Sequence, residues 1–224
     1  MYQLLIILYI SLLGIGSPNK PEKEKAWPEE LNTAADANYL SQLEQEVILE
    51  LNKVRSDPPR YAKEYLEELK DHYKGKLLTY DGQIPIMTEE GIYPLEECIR
   101  VLKKTPPRPL LRPAKGLTKA AQELMEEQQR TGGLGHISRK GTTPQKRIEK
   151  YGVWDICSSE DIAYGSISAR QIVASLLIDD GVLNRGHREN ILNPCTKFAG
   201  VAKGNHPKYR VMCVIDYAGS FKSK

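Results

Sequence analysis

Residues 176–194 read LLIDDGVLNRGHRENILNP. An apolar run, Leu176, Leu177 and Ile178, ends in the paired acids Asp179 and Asp180 and in Gly181. His187 then stands among charged and small polar residues ahead of Pro194. Chemistry-bearing side chains gather where regular structure stops, the usual place for function on a rigid scaffold. On its own, the stretch leaves alternatives open: His187 after Gly186 suits a site or a backbone cap, and the two acids suit a site or a turn.

Working outward, residues 168–178 carry the most apolar helical stripe, Ile172, Val173, Leu176 and Leu177. Residues 142–151 place Pro144 in a first helical turn with Lys146, Arg147 and Lys150 outward. LTKAAQELMEEQQR at 117–130 sets Leu117, Ala120, Ala121, Leu124 and Met125 on one face, and Gly132-Gly133 ends it. From Asn38, the residues Leu40, Leu43, Val47, Leu51 and Val54 recur at helical spacing, with Ser41 and Glu44 placed to cap and Ser56-Asp57-Pro58-Pro59 to stop. Residues 60–70 predict a short helix. Residues 71–107 mix aromatics, turns and a helix at 94–104. Beyond Pro194 the period changes, and FAGVAKG and YRVMCVIDYAG predict strands joined at Asn205-His206-Pro207. Helices followed by terminal antiparallel strands predict the α+β class.

With 224 residues, 40% of them hydrophobic, the chain is sized for one domain. A net charge of +3, evenly mixed and without a reading motif, argues against a nucleic-acid partner. Residues 4–15 are apolar but too short to span a bilayer comfortably, and Gly14, Gly16 and Ser17 suit signal peptidase, so 1–16 reads as a signal peptide. The sequence ahead of the run holds no Lys or Arg, which leaves an uncleaved anchor as the alternative; no other segment predicts a transmembrane helix in the mature chain. Residues 17–37, with Pro18, Pro21 and Pro28 among alternating charges, read as a linker before a domain at 38–221. The even set Cys98, Cys157, Cys195 and Cys213 behind a signal peptide predicts disulfides, with three possible pairings. Adjacent terminal strands favour Cys195 with Cys213, leaving Cys98 with Cys157; buried free thiols are the alternative.

The 176–194 stretch resembles the histidine-bearing signature of the CAP superfamily (cysteine-rich secretory, antigen 5 and pathogenesis-related-1 proteins; SCP domain), in a divergent branch with a DDGxxxRGHRxNIxNP pattern. ILELNKVRSDPPRYA, holding Asn52 and Arg55, is similar to the first helix of such domains, and GLTKAAQ to the next core helix. The resemblance implies a single-domain α-β-α sandwich, in which residues 71–107 form an insertion between the first two core helices that elaborates the surface or forms a lid. CAP domains turn two histidines and two acids into a central cavity. The resemblance assigns these to His136 in GLGHIS, Glu160 in SSEDIAYG, His187, and Asp180 on the helix before it.

Two imidazoles and a carboxylate can hold Zn²⁺ or another divalent cation and leave a position for water, so the resemblance makes His136 and His187 candidate metal ligands. It implies a secreted protein binding a lipid, a sterol or an extracellular protein. Its alternatives are a metal-dependent, protease-like hydrolase with His136, Glu160 and His187 as catalytic residues, and a polar network that only ties the sandwich together. Glu160 read alone suits a helix start. His72 and His206 read as solvent-facing. Tyr151, Trp154, Tyr164 and Tyr209 suit a groove or the core, and the basic set Arg100, Lys103, Lys104, Arg108, Arg112 and Lys115 suits a solvated face or contact with anionic lipid or glycan. No GxSxG elbow supports a serine hydrolase.

Overall fold

The computed structural model describes residues 26–224; the signal peptide reading of 1–16 and the linker reading up to residue 25 lie outside them. The rest of the expected linker is packed. Leu31, Ala34 and Ala37 are buried, and the Trp27 indole N–H meets Glu64 and Tyr65 while its ring carries Arg60 at 4.0 Å. Part of this segment rests on α1 (Gln42–Ser56). Asn52 of that helix donates to the Leu31 and Leu111 carbonyls and accepts from the Leu111 N–H.

Ser41 and Glu44 close a capping box at the start of α1, and Asp57 accepts from the Arg60 N–H to begin α2 (Pro58–Tyr61). Looser turns lead to a small antiparallel sheet of β1 (Tyr73–Lys74), β2 (Leu77–Leu78) and β3 (Ile86–Met87), then α3 (Tyr93–Leu102) and β4 (Arg112–Pro113). The second core helix, α4 (Lys115–Thr131), ends where Gly132 takes a φ of 67°. Then follow α5 (Pro144–Tyr151), β5 (Gly152–Tyr164), α6 (Ala169–Ile178), α7 (Gly186–Leu192), β6 (Phe198–His206) and β7 (Arg210–Ser223).

The main sheet has the order β4-β6-β7-β5, parallel only between β4 and β6. Helices α4 and α5 cover one face, and α1, α6 and α7 the other. This is the three-layer α+β sandwich, a single domain with the insertion between its first two core helices. At Gly200 a Cβ would come within 2.1 Å of the Thr118 nitrogen, so α4 lies on β6 at a distance only glycine allows. No helix of the described residues is long and apolar enough to cross a membrane.

Two expectations are corrected. Cys157 is joined to Cys195, with Cα atoms 6.5 Å apart, while Cys98 and Cys213 are free and buried. The β6–β7 register pairs Lys203 with Cys213, whereas the Cys195 sulfur lies against Gly219. Six strand residues at about 3.3 Å each separate Cys213 from that point by roughly 20 Å, far beyond disulfide reach. Glu160 belongs to a strand rather than a helix start. SSED is polar, and a register shift between Asp155 and Ser158, with Ile156 at a φ of 75°, breaks the alternation that would mark a strand.

Candidate functional site

The site lies at β5, the edge strand of the sheet. Glu160 and Asp161 are successive strand residues and so point to opposite faces. His136 bonds the first and His187 senses the charge of the second, so the two rings approach around the sheet edge, their centroids 6.3 Å apart.

His136 follows α4 in a loop pinned at several points. Gln128 donates to the Gly135 carbonyl, the Gly135 N–H donates to the Tyr164 hydroxyl, and Arg147 of α5 donates to the His136 carbonyl. The ring Nδ1–H donates to Glu160 Oε1 at 2.9 Å, and Arg147 takes Oε2 at 2.5 Å. Both Glu160 oxygens are thereby engaged, Oε2 in a buried ion pair with Arg147 and Oε1 in the hydrogen bond from His136. The facing β7 residue, Asp216, is fully buried, and neither of its oxygens meets a donor among the described residues. Burial, then the Glu160 charge, push it well above the ordinary carboxyl range.

His187 opens α7. Its Nδ1–H donates to Asp179 Oδ1 at 2.6 Å, and its backbone N–H donates to Asp179 Oδ2 at 2.9 Å. Asp179 ends α6 at a φ of 59°, a left-handed conformation that Asp tolerates better than most residues. One carboxylate thus orients the imidazole and caps the next helix. Burial opposes protonation of His187, but the Asp179 hydrogen bond and the charges of Asp161 and Asp179 outweigh it and raise the pKa above its ordinary value. Asp161 accepts from Asn190 Nδ2 at 2.7 Å; burial pushes its pKa up to about 7, against the opposing effects of His187, Asn190 and Tyr217.

Of the expected cavity set, His136, Glu160 and His187 come together. Asp180 does not complete it. Its oxygens accept the Glu89 and Glu90 N–H groups at 2.7 and 2.9 Å, because the residue that ends α6 beside His187 is Asp179, one position earlier. The following residues extend that clip: Glu90 accepts from the Gly181 N–H and pairs with Arg185, which also meets Glu97. Arg188 joins Glu97 to the Leu177 and Ile178 carbonyls. Much of the 176–194 motif therefore fastens the insertion to the sandwich.

The insertion forms a wall of an apolar groove that reaches His187. Tyr73, Leu78 and Ile86 form one cross-strand row of the small sheet, and all line a cavity of about 530 Å³. Across from them stand Ile162, Leu176, Ile178 and Val182, and His187 closes one end. Tyr164 and Tyr209 also line it, whereas Tyr151 and Trp154 pack under α4 and α5. His206, expected at the surface, is buried. Its Nδ1 accepts the Lys208 and Tyr209 N–H groups and its Nε2–H donates to the Gly133 carbonyl, which holds the edge of this aromatic wall. His72 is half-buried against the Thr79 carbonyl. No sequence period announced the groove, because its lining comes from the insertion, β5 and α6 together.

Both imidazoles have Nδ1 committed to a carboxylate, which leaves Nε2 as the atom each can offer a metal. Catalytic zinc takes three protein ligands, and no group of three or more His, Cys, Asp and Glu suited to a metal is gathered among the described residues. The donor set is one short, and Glu160 is held by Arg147.

A family profile described as CAP, the cysteine-rich secretory protein family, matches residues 100–217. Among solved structures, an outer surface protein from Borrelia burgdorferi is 24% identical with a TM-score of 0.41, over 51% of this chain and 78% of that one. An extracellular protein containing a SCP domain from Bacillus anthracis str. Ames is 18% identical with a TM-score of 0.40, over 50% of this chain and 34% of that one. No curated protein matches.

Proposed function

The chain belongs to the CAP, or cysteine-rich secretory protein, family, and from that premise we propose that it is a secreted binding protein whose groove receives a lipid or sterol. The observation that carries this reading is the inward row Tyr73, Leu78 and Ile86, which turns an insertion into the wall of an apolar cavity ending at His187. About 530 Å³ falls within the range of small-molecule sites, and apolar walls with one polar end suit an amphipathic molecule. The apolar run at 4–15 and the Cys157–Cys195 bridge support export. Titration with a fluorescent sterol and a fluorescent fatty acid tests the reading. Val182→Asp and Ile86→Asp place a charge in the groove and should each weaken binding about tenfold or more; wild type that binds neither probe refutes it.

A divalent cation between the histidines is the second reading, favoured by ring centroids 6.3 Å apart and by Nε2 atoms left free of the carboxylates. With two protein donors, such an ion would be completed by water, and no catalytic step is assigned to it. Zinc titration by calorimetry tests this: His187→Ala should abolish binding, and binding should weaken as pH falls through the raised His187 pKa, since imidazolium cannot donate to a metal. Equal zinc affinity in wild type and His187→Ala removes this reading.

A further inference from the structure

Register decides which backbone groups of β5 are already spent. The Gly165 N–H donates to the Val211 carbonyl and the Lys197 N–H to the Ala218 carbonyl, so odd-numbered residues of β7 turn their backbone groups to β5 and even-numbered ones to β6. The β5 partners of the odd residues are Ser159, Asp161 and Ala163. Glu160, Ile162 and Tyr164 therefore direct their N–H and C=O groups away from β7, along the free edge of the main sheet. Asn190 Nδ2 reaches the Glu160 carbonyl at 3.5 Å, as this parity requires. No described residue meets the outward groups of Ile162 and Tyr164. This edge is a wall of the groove. The Ile162 side chain packs beneath α4 with Leu124 and Val214, on the face of the sheet away from α6, so what it turns to the groove is its backbone edge.

We propose that an extended segment of a partner protein pairs with this edge, adding a strand to the main sheet inside the groove. Ile162 and Tyr164 each offer one donor and one acceptor, repeated roughly 7 Å apart along the strand. The electrostatic complement of that alternating row is another extended backbone. An alkyl chain has nothing to meet four such groups, and a carboxylate or hydroxyl offers one polar end only. Pairing starts at Ile162, because Asn190 takes the preceding carbonyl. Side chains of the added strand alternate, and one set faces α6 and the row Tyr73, Leu78 and Ile86, so the segment carries apolar side chains at every second position. Strand pairing does not depend on the lipid reading, since a lipid meets the apolar wall and leaves the edge unpaired.

The probe is a library of capped heptapeptides with Val, Ile or Phe at alternate positions and Thr, Ser or Lys between, added to the full chain and followed by amide exchange in nuclear magnetic resonance. Binders are expected, and the tightest should slow exchange of the Ile162 and Tyr164 amides about tenfold or more, while Ala163, already paired with Cys213, changes little. N-methylation of alternate peptide nitrogens separates pairing from the filling of an apolar space. The set that faces β5 should weaken binding about tenfold or more, and the set that faces away should leave it unchanged. A library without a binder, exchange at Ile162 and Tyr164 that a bound peptide does not slow, or equal losses from both methylated sets overturns the proposal. So does protection of the two amides that grows with concentration in the peptide-free chain, which assigns the edge to a second copy. Peptide pairing in a chain that binds neither lipid probe refutes the lipid reading alone; lipid binding without peptide protection refutes strand pairing alone.

Discussion

Asp161 and His187 sit together under the site and both bind protons more tightly when folded than their ordinary values imply. A raised His187 pKa contributes stability below its unfolded value that is lost as pH rises through the folded one. For Asp161 the folded carboxyl titrates at about 7, well above its ordinary value, so the stability carried by its bound proton is lost as pH rises toward 7. The two effects share a sign, and stability should fall as pH rises from about 5 through 7. Glu90, held near 2 by the Arg185 hydrogen bonds and the Gly181 N–H, titrates outside this window. Thermal unfolding across the range checks the point. Asp161→Asn, which keeps the neutral shape and the Asn190 contact, should flatten the profile, and an unchanged slope would show that other groups set it. The same neighbourhood shows where sequence reading stopped. His136, Glu160 and His187 were legible through motif resemblance, but which of two adjacent acids reaches His187 depends on the left-handed turn at Asp179. Asp216 lay in an apolar strand with no motif around it; only its register opposite Glu160 identifies it.

At the scale of elements, the helices announced themselves and β5 did not. Ser41 with Glu44, Pro144 behind Thr143, and Gly132 after α4 are local capping signals that tertiary structure left in place. In β5 the buried acids and the irregular register replace the alternating pattern, a conflict typical of functional segments. The expected insertion was legible as a gap in the family resemblance, though its inward row was not, because each of its strands is two residues long. Two joints hold these elements. Asp180 fastens the insertion to the end of α6, so Asp180→Asn, which weakens two charge-assisted bonds, should speed limited proteolysis within residues 73–88 while the main sheet stays protected. An unchanged cleavage rate would place the fastening elsewhere. Cys157 and Cys195 close a separation of 38 residues between the edge strand and the turn after α7. Replacing both by serine should cost about 2–4 kcal/mol in denaturant unfolding, with no change expected for Cys98→Ala beyond the small cost of a buried cavity.

For the whole molecule, the sandwich supplies a rigid edge, the histidines come around it, and the insertion closes an apolar groove beside them. A cavity assembled from three separate segments can be tested by asking whether one ligand protects all three. Hydrogen exchange with and without a saturating fatty acid or sterol is the most direct measurement. The account expects slowed exchange in residues 73–88, 162–166 and 175–187 together, while residues 195–206, on the far side of β7, exchange as before. Protection confined to another part of the molecule, or none at concentrations where the ligand is bound, would contradict the groove as the binding site.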